Sequence, residues 1–470
     1  GIKISDSHDE PELEFFDRVP TVWDDTKVIH GEVGKYITVA RRTGSAWFIG
    51  TITNDEERKL NIPLDFLTEG QSYLAHIYYD DPNVPTRTKV GIKNIPVTNK
   101  STLEAVLPAS GGQAVWLEAQ KKFVHPGILH TQADIKRTHK LIDNKTEPAY
   151  GSFLLLKEHK CSQPDYRMEG PFRIISRDGE YRHTKSKMEA DFSAVYQNAL
   201  MWTLTGNKAH ARKSLEILTA YADSLTMIPE TNDAPLLVGL EGLKIIYALE
   251  ILKYTYPGIK DEDLVPVNRM FTEIFMPVME NFYAARPYTN GNWGSIVTKT
   301  YMAAGIYFNN RAMYNKGMDF YLHGHDNGSI LHYISGETGQ IQESGRDQSH
   351  CMLGIGAMAT LCEIAWKQGD DLYSALSNRL MKGYEYVAQY NLGYDVLFSV
   401  WEDVTGKYCD WKTISDKARG NYMPVFEIAY NHYVRRQGLQ MPYTLQVLEK
   451  IRPEGFDRDQ PAFGSLLFND

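Results

Sequence analysis

The chain has 470 residues, 43% hydrophobic and 12% aromatic, enough for two separate cores and long for one domain. Fifty Lys and Arg stand against 59 Asp and Glu, a formal charge of -9. That balance excludes a global basic field for nucleic acid or an anionic membrane, so a polyanionic ligand would need a locally basic cleft. Cys161, Cys351, Cys362 and Cys409 show none of the short paired spacings of a zinc ribbon or redox motif, and four cysteines are too few for a disulfide scaffold. No apolar run approaches the roughly 20 residues that span a bilayer. The first residues, GIKISDSHDE, lack the basic and apolar regions of a signal peptide. The expectation is an exported protein, periplasmic or secreted, from which an export signal has been removed.

In chain order, KYITVARR, AWFIGTIT, SYLAHIYYD and TLEAVLPA alternate apolar with polar residues between Gly, Asn, Asp and Pro, the pattern of an all-β sandwich. The stretch QKKFVHPGILHTQADI ends that pattern, which places a domain boundary near residues 120–125 and two domains at 1–122 and 123–470. After about Asn144 the apolar spacing becomes helical. DFSAVYQNALMWTLTG precedes NKAHARKSLEILTAYADSL, and GSIVTKTYMAAGIYF precedes NRAMYNKGMDFYLHG, which reads as antiparallel helix pairs. Further helices are expected at PLLVGLEGLKIIYALEILKYT, around NRMFTEIFMPVMENFYAA, at HCMLGIGAMATLCEIAWKQ with ALSNRLMKGYEYVAQYN, and at NYMPVFEIAYNHYVRRQG. Such an array closes into a toroid or extends as a solenoid. Its irregular loops, rich in Asn, Gly, Tyr and Trp, favour a toroid with a site on one face.

Three segments carry chemistry. RPYTNGNWGS, Arg286 to Ser295, leads into a helix expected near Trp293. Asn292 either caps that helix or aims its amide at a ligand. Trp293 and Tyr288 are either core or platforms for a pyranose face. GQIQESGRDQSHCMLGIG, Gly339 to Gly356, is the densest polar cluster of the helical part. If already helical, it places Arg346 and His350 at i and i+4 on one stripe, with Gln342 a turn earlier and Glu343 beside Asp347. The plainer reading is a first helical turn with an internal ion pair. Gly354, Gly356 and Ala357 then permit close helix packing, which turns the polar end toward a cavity. In GKYCDWKTISDKARGNYMPVFEIAYNHY, Tyr408 with Trp411 could form a cleft wall or supply a catalytic phenol, and Arg419 with Glu427 reads as an ion pair. His323, His325 and His332 lack the helix-borne spacing of a metal site, so no metal and no cofactor is expected.

Two resemblances follow from these residues. The run RVPTVWDDTKVIHGEVGKYITVARRTGSAWFIGTITNDEERKLNIPLDFL resembles the C-terminal β-sandwich domain of glycoside hydrolase family 97, here without the catalytic barrel, which implies an accessory domain. MEADFSAVYQNALMWTLTGN, NDAPLLVGLEGLK, NGNWGS, QESGRDQSH and YNLGYDV resemble the alginate lyase superfamily, nearest to polysaccharide lyase family 38. That resemblance implies an (α/α) toroid cleaving an acidic polysaccharide or oligosaccharide, of alginate or glucuronan type, by β-elimination without a required metal.

Such chemistry needs donors that neutralise the uronate carboxylate, a base for the C5 proton and an acid for the leaving O4. Asn292 and Arg346 have the character of the first, His350 of the base and Tyr408 of the acid, with Tyr288, Tyr390 and Tyr394 as rivals. Trp293, Tyr288, Gln342, Glu343, Arg419 and Trp411 are the candidate substrate-binding residues. Two alternatives stand beside this reading. One is an inverting glycoside hydrolase using Glu343 and Asp347 with Glu402 or Asp403; the other is a glycan-binding protein without catalysis.

Overall fold

The computed structural model describes residues 10–284 and 291–469. The chain divides into two compact units, Gly1–Lys122 and Phe123–Asp470.

The first unit is an antiparallel β-sandwich. Its strands are β1 (Asp25–Glu32), β2 (Tyr36–Thr43), β3 (Ala46–Thr53), β4 (Arg58–Pro63), β5 (Tyr73–Asp80), β6 (Val90–Val97), β7 (Thr102–Leu107) and β8 (Gly112–Ala119). Six form one sheet in the order β1-β2-β3-β8-β5-β6, and β4 pairs with β7. The two-residue period is plain in β7, where Leu103, Ala105 and Leu107 are buried and the residues between them exposed, as expected of a strand with one face on the core. On β3, however, Trp47, Phe48 and Ile49 are buried consecutively. The short helix α1 (Glu14–Arg18) explains this. Phe15 packs on Phe48 and Tyr78, with ring centroids 5.9 and 5.3 Å apart, and the Arg18 guanidinium lies 5.2 Å over Trp116. The outer face of the sheet is thereby covered as well.

The second unit is helical. Its elements are α2 (Gln132–Asp143), α3 (Ala149–Glu158), α4 (Lys185–Thr205), α5 (Lys208–Ser224), α6 (Ala234–Thr255), α7 (Asp261–Met270), α8 (Met276–Ala284), α9 (Gly291–Tyr307), α10 (Arg311–His323), α11 (Ile330–Tyr333), α12 (Gln348–Lys367), α13 (Ala375–Asn391), α14 (Phe426–Tyr430), α15 (Pro442–Ile451) and α16 (Gly464–Leu467). The helical pattern therefore begins at Gln132 and not after Asn144, because Thr131 and Asp134 form a reciprocal capping box that starts α2. Helices α4, α6, α9 and α12 pack in succession, α4 on α6, α6 on α9, α9 on α12. α6 buries every residue from Leu237 to Leu252, and α9 every residue from Gly294 to Tyr307. Helices buried all round form the inner row of the toroid; α5 and α10 back α4 and α9 from outside. The turns are written locally. Gly206 takes φ +68° to end α4, and the next residue, Asn207, caps α5 by accepting the Ala209 amide at 3.0 Å. Asn310 caps α10 in the same way through Met313 N at 3.1 Å.

Candidate active site

The first turn of α9, the turn before α12 and the irregular loop around Tyr408 come together, and a single buried carboxylate joins the first two. Glu343 is fully buried. Its oxygens accept Asn292 Nδ2 at 2.7 and 2.9 Å, Tyr333 Oη at 2.9 Å and Arg346 Nη1 at 2.8 Å. Gln342 beside it accepts the Gly291 amide at 3.2 Å. The hydrogen bonds converging on one carboxylate satisfy the strict requirement that a buried charge be paired and hydrogen-bonded. Tyr333 reaches Glu343 through a gap that two glycines leave open. A Cβ at Gly291 would fall on the Tyr333 ring, and one at Gly354 on its hydroxyl. The small residues at the start of α12 thus admit Tyr333, while Gly356 lies against Val425 and Gln460.

Asp347 is the N-cap of α12 and accepts the His350 amide at 2.8 Å. Both of its oxygens also lie 2.8 Å from His350 Nδ1. Burial alone would raise this carboxyl, but the His350 hydrogen bonds and the Arg346 charge outweigh it and hold Asp347 down to about 2. A carboxylate on Nδ1 favours the tautomer with its proton there, leaving the Nε2 lone pair available. The His350 and Arg346 side chains are 33% and 29% exposed, so the two groups that border the buried cluster also reach solvent.

Tyr408 is set by Asp403, whose carboxylate accepts the Tyr408 amide at 2.6 Å and Asn327 Nδ2 at 3.2 Å. Burial raises the Tyr408 phenol, an effect the Arg346 charge partly offsets. The Trp411 ring stacks at 6.4 Å from that of Tyr408, and its Cβ packs against Gly345. The loop is tied to the motif it faces: Ser415 N donates to Ser344 O at 3.0 Å, Gln348 N to Lys417 O at 3.0 Å, and Gln340 exchanges two bonds with Ser399 at 2.7 and 2.8 Å.

Several sequence expectations change. Asn292 lies inside α9 and does not cap it; being fully buried with its amide nitrogen taken by Glu343, it holds that carboxylate. Arg346 and His350 do not share a helical stripe, because α12 starts at Gln348 and Arg346 precedes it. Glu343 pairs with Arg346 and Asp347 with His350, three residues apart instead of four. Arg419 does not pair with Glu427. It stacks on Tyr390 at 3.9 Å and donates to the Tyr390 and Tyr394 carbonyls, while Glu427 is held by Arg452 and Arg435. Trp293 is half-buried against the main core. Tyr288 lies outside the described residues. Sequence reasoning misses Tyr333 and Asn327: both stand in the run HGHDNGSILHY, which is weighed only for its histidines, and only the chain path brings them to the site. Among the described residues, no group of three or more His, Cys, Asp or Glu is arranged to hold a metal ion.

Comparisons with known proteins fit both units. The glycosyl-hydrolase 97 C-terminal oligomerisation domain matches residues 22–118. A retaining α-galactosidase of Bacteroides thetaiotaomicron is 33% identical over 108 residues, which are 23% of this chain and 16% of the relative's length. The chain therefore spans about a sixth of that relative. Alginate lyase A1-III from Sphingomonas species A1 is 14% identical over 72% of this chain and 95% of its own, with TM-score 0.52. A variant of alginate lyase A1-III complexed with a tetrasaccharide covers 72% of this chain and 94% of its own, at 13% identity and TM-score 0.55. At such identities the likeness establishes the toroid fold. The alginate lyase family model matches residues 134–395, more than half of the chain, and the protein belongs to the alginate lyase family.

Proposed function

We propose that the protein is a polysaccharide lyase that cleaves a uronic-acid-containing glycan by β-elimination, with His350 as base, Tyr408 as acid and Arg346 on the substrate carboxylate. One observation carries the reading. A half-exposed imidazole, oriented through Nδ1 by a buried carboxylate, stands beside a guanidinium whose other side is anchored on Glu343. Removing the C5 proton places negative charge on the uronate carboxylate, and an anchored cation stabilises that charge without reorganising. His350 Nε2 is the group with a lone pair for the proton. The phenol of Tyr408, held above its ordinary range, stays protonated at neutral pH and is suited to protonate the departing O4. Asn292 contributes through Glu343, not by touching substrate.

The hydrolase alternative asks Glu343 to meet a glycosidic oxygen. Its burial under Asn292, Tyr333 and Arg346 weighs against that. A polymeric substrate fits a periplasmic or secreted protein, with the sandwich as an accessory domain. Among the described residues no helix is long and apolar enough to cross a membrane.

The test is incubation of the purified protein with alginate, glucuronan and other polyuronates while following the absorbance of unsaturated uronate ends. Their appearance is the expected result; saturated products from an active preparation overturn the lyase reading.

A further inference from the structure

A second polar cluster lies apart from the residues used above, between the inner helices. On α9, Lys299 is seven residues beyond Asn292. At 3.6 residues per turn that is nearly two full turns, so both lie on one stripe about 10 Å apart along the axis. Lys299 is fully buried, and its Nζ has no hydrogen-bond partner. Around it, Lys244 bonds Glu241 at 2.9 Å and Ser193 at 3.3 Å. Glu189 holds Arg177 at 2.7 Å and Arg458 at 3.1 Å, and Asp459 lies 3.9 Å from Arg177. Asp459, Asp457 and Glu241 all act electrostatically on Lys299.

Three further buried atoms in this cluster make no hydrogen bond: Arg177 Nε, Glu241 Oε1 and Asp459 Oδ1. Two donors and two acceptors are thus left open, though buried polar atoms are rarely left so. Burial lowers Lys299 to about 8 and raises Glu241 to about 7, the direction expected where charge lacks compensation. The cluster holds as many acids as bases, so it offers no net field for an anion. What matches open donors beside open acceptors is a group that both gives and takes hydrogen bonds, as adjacent sugar hydroxyls do. The short non-helical stretch at Asp457–Asp459, with Arg458 57% exposed at its side chain, brings the cluster toward solvent.

We propose that Arg177, Glu241, Lys299 and Asp459 form a hydroxyl-recognition subsite that takes the vicinal diol of a pyranose ring, about two helical turns along α9 from Asn292. This rests on the polysaccharide reading of the site at Arg346 and His350 and adds that one sugar ring is recognised by its hydroxyls, not by its carboxylate.

The full protein is titrated by calorimetry with neutral cellotriose and mannotriose and with a saturated glucuronate trisaccharide. Lys299→Met and Glu241→Gln each weaken a neutral trisaccharide tenfold or more and the acidic one similarly, whereas Arg346→Ala weakens only the acidic one. Thermal unfolding identifies variants that fold. If Lys299→Met does not fold, lysine side-chain NMR of the wild-type protein serves instead, with the Lys299 resonance moving on addition of the neutral sugar. Unchanged affinity in folded variants, an unmoved resonance, or no binding of either neutral sugar to the wild type overturns the subsite. Polyuronates left uncleaved while neutral sugars still depend on Lys299 would instead sink the lyase reading and leave the subsite standing.

Discussion

Asn292 Nδ2 lies 2.7 Å from Glu343 Oε1 although the two residues are 51 positions apart in the chain, and Arg346 is anchored on the same oxygen at 2.8 Å. The amide and the cation that a lyase needs are therefore joined through a carboxylate that itself touches no solvent. Replacing Asn292 by Ala leaves that carboxylate short of a buried donor, at about 1–3 kcal/mol. The expected outcome is a lower unfolding temperature together with reduced turnover, measured by calorimetric scanning and by the unsaturated-uronate assay. Glu343→Gln should act in the same direction by freeing the guanidinium.

His350→Ala should separate chemistry from folding. A general base contributes roughly 10²–10⁴-fold, and the half-exposed imidazole carries little packing. Turnover should fall by that factor in a protein that still folds, with some loss of stability because the buried Asp347 carboxylate loses the imidazole; a variant that stays active would remove His350 from the reaction.

Asp347 gives a pH signature. Its carboxyl is held at about 2 in the folded chain against an ordinary 3.8. A depressed carboxyl stabilises the fold above its unfolded value, and that stabilisation is lost as pH falls through the folded value. Wild-type protein should therefore lose more stability between pH 3.8 and 2 than Asp347→Asn, which lacks the titrating group. Parallel curves for the two proteins, from thermal unfolding across that range, would show that the dyad contributes nothing there.

Tyr408→Phe retains the ring that stacks on Trp411 and removes only the phenol. If that proton reaches the leaving oxygen, kcat falls by roughly 10²–10⁴-fold while KM moves little. Trp411→Ala should show the opposite pattern, a higher KM with a smaller effect on kcat.

Gly354→Ala tests the packing beneath the site. The added methyl meets the Tyr333 hydroxyl, and overpacking of this kind costs about 1–3 kcal/mol. Tyr333 must retreat from Glu343, so activity should fall along with stability. Tyr333→Phe in the same background should restore part of the stability by relieving the clash.

The period of the apolar residues determined much of this protein. Alternation in TLEAVL and the helical spacing of PLLVGLEGLKIIYALEILKYT correspond to β7 and α6, because a residue's neighbours along the chain decide which face it shares. The breaks between the paired helices at Gly206 and before Asn310 were legible for the same local reason. Polar density in NGNWGS and QESGRDQSH pointed to the place of the site. Pairing within it was another matter. Whether Arg346 meets Glu343 or aligns with His350 depends on α12 starting at Gln348, capped by Asp347, and not a turn earlier, a one-turn difference that periodicity does not resolve. That Asn292 serves Glu343, that Tyr333 fits between Gly291 and Gly354, and that Arg419 lies on Tyr390 while Glu427 meets Arg452 were decided only by tertiary packing, since each joins atoms whose separation in sequence carries no information about their distance in space.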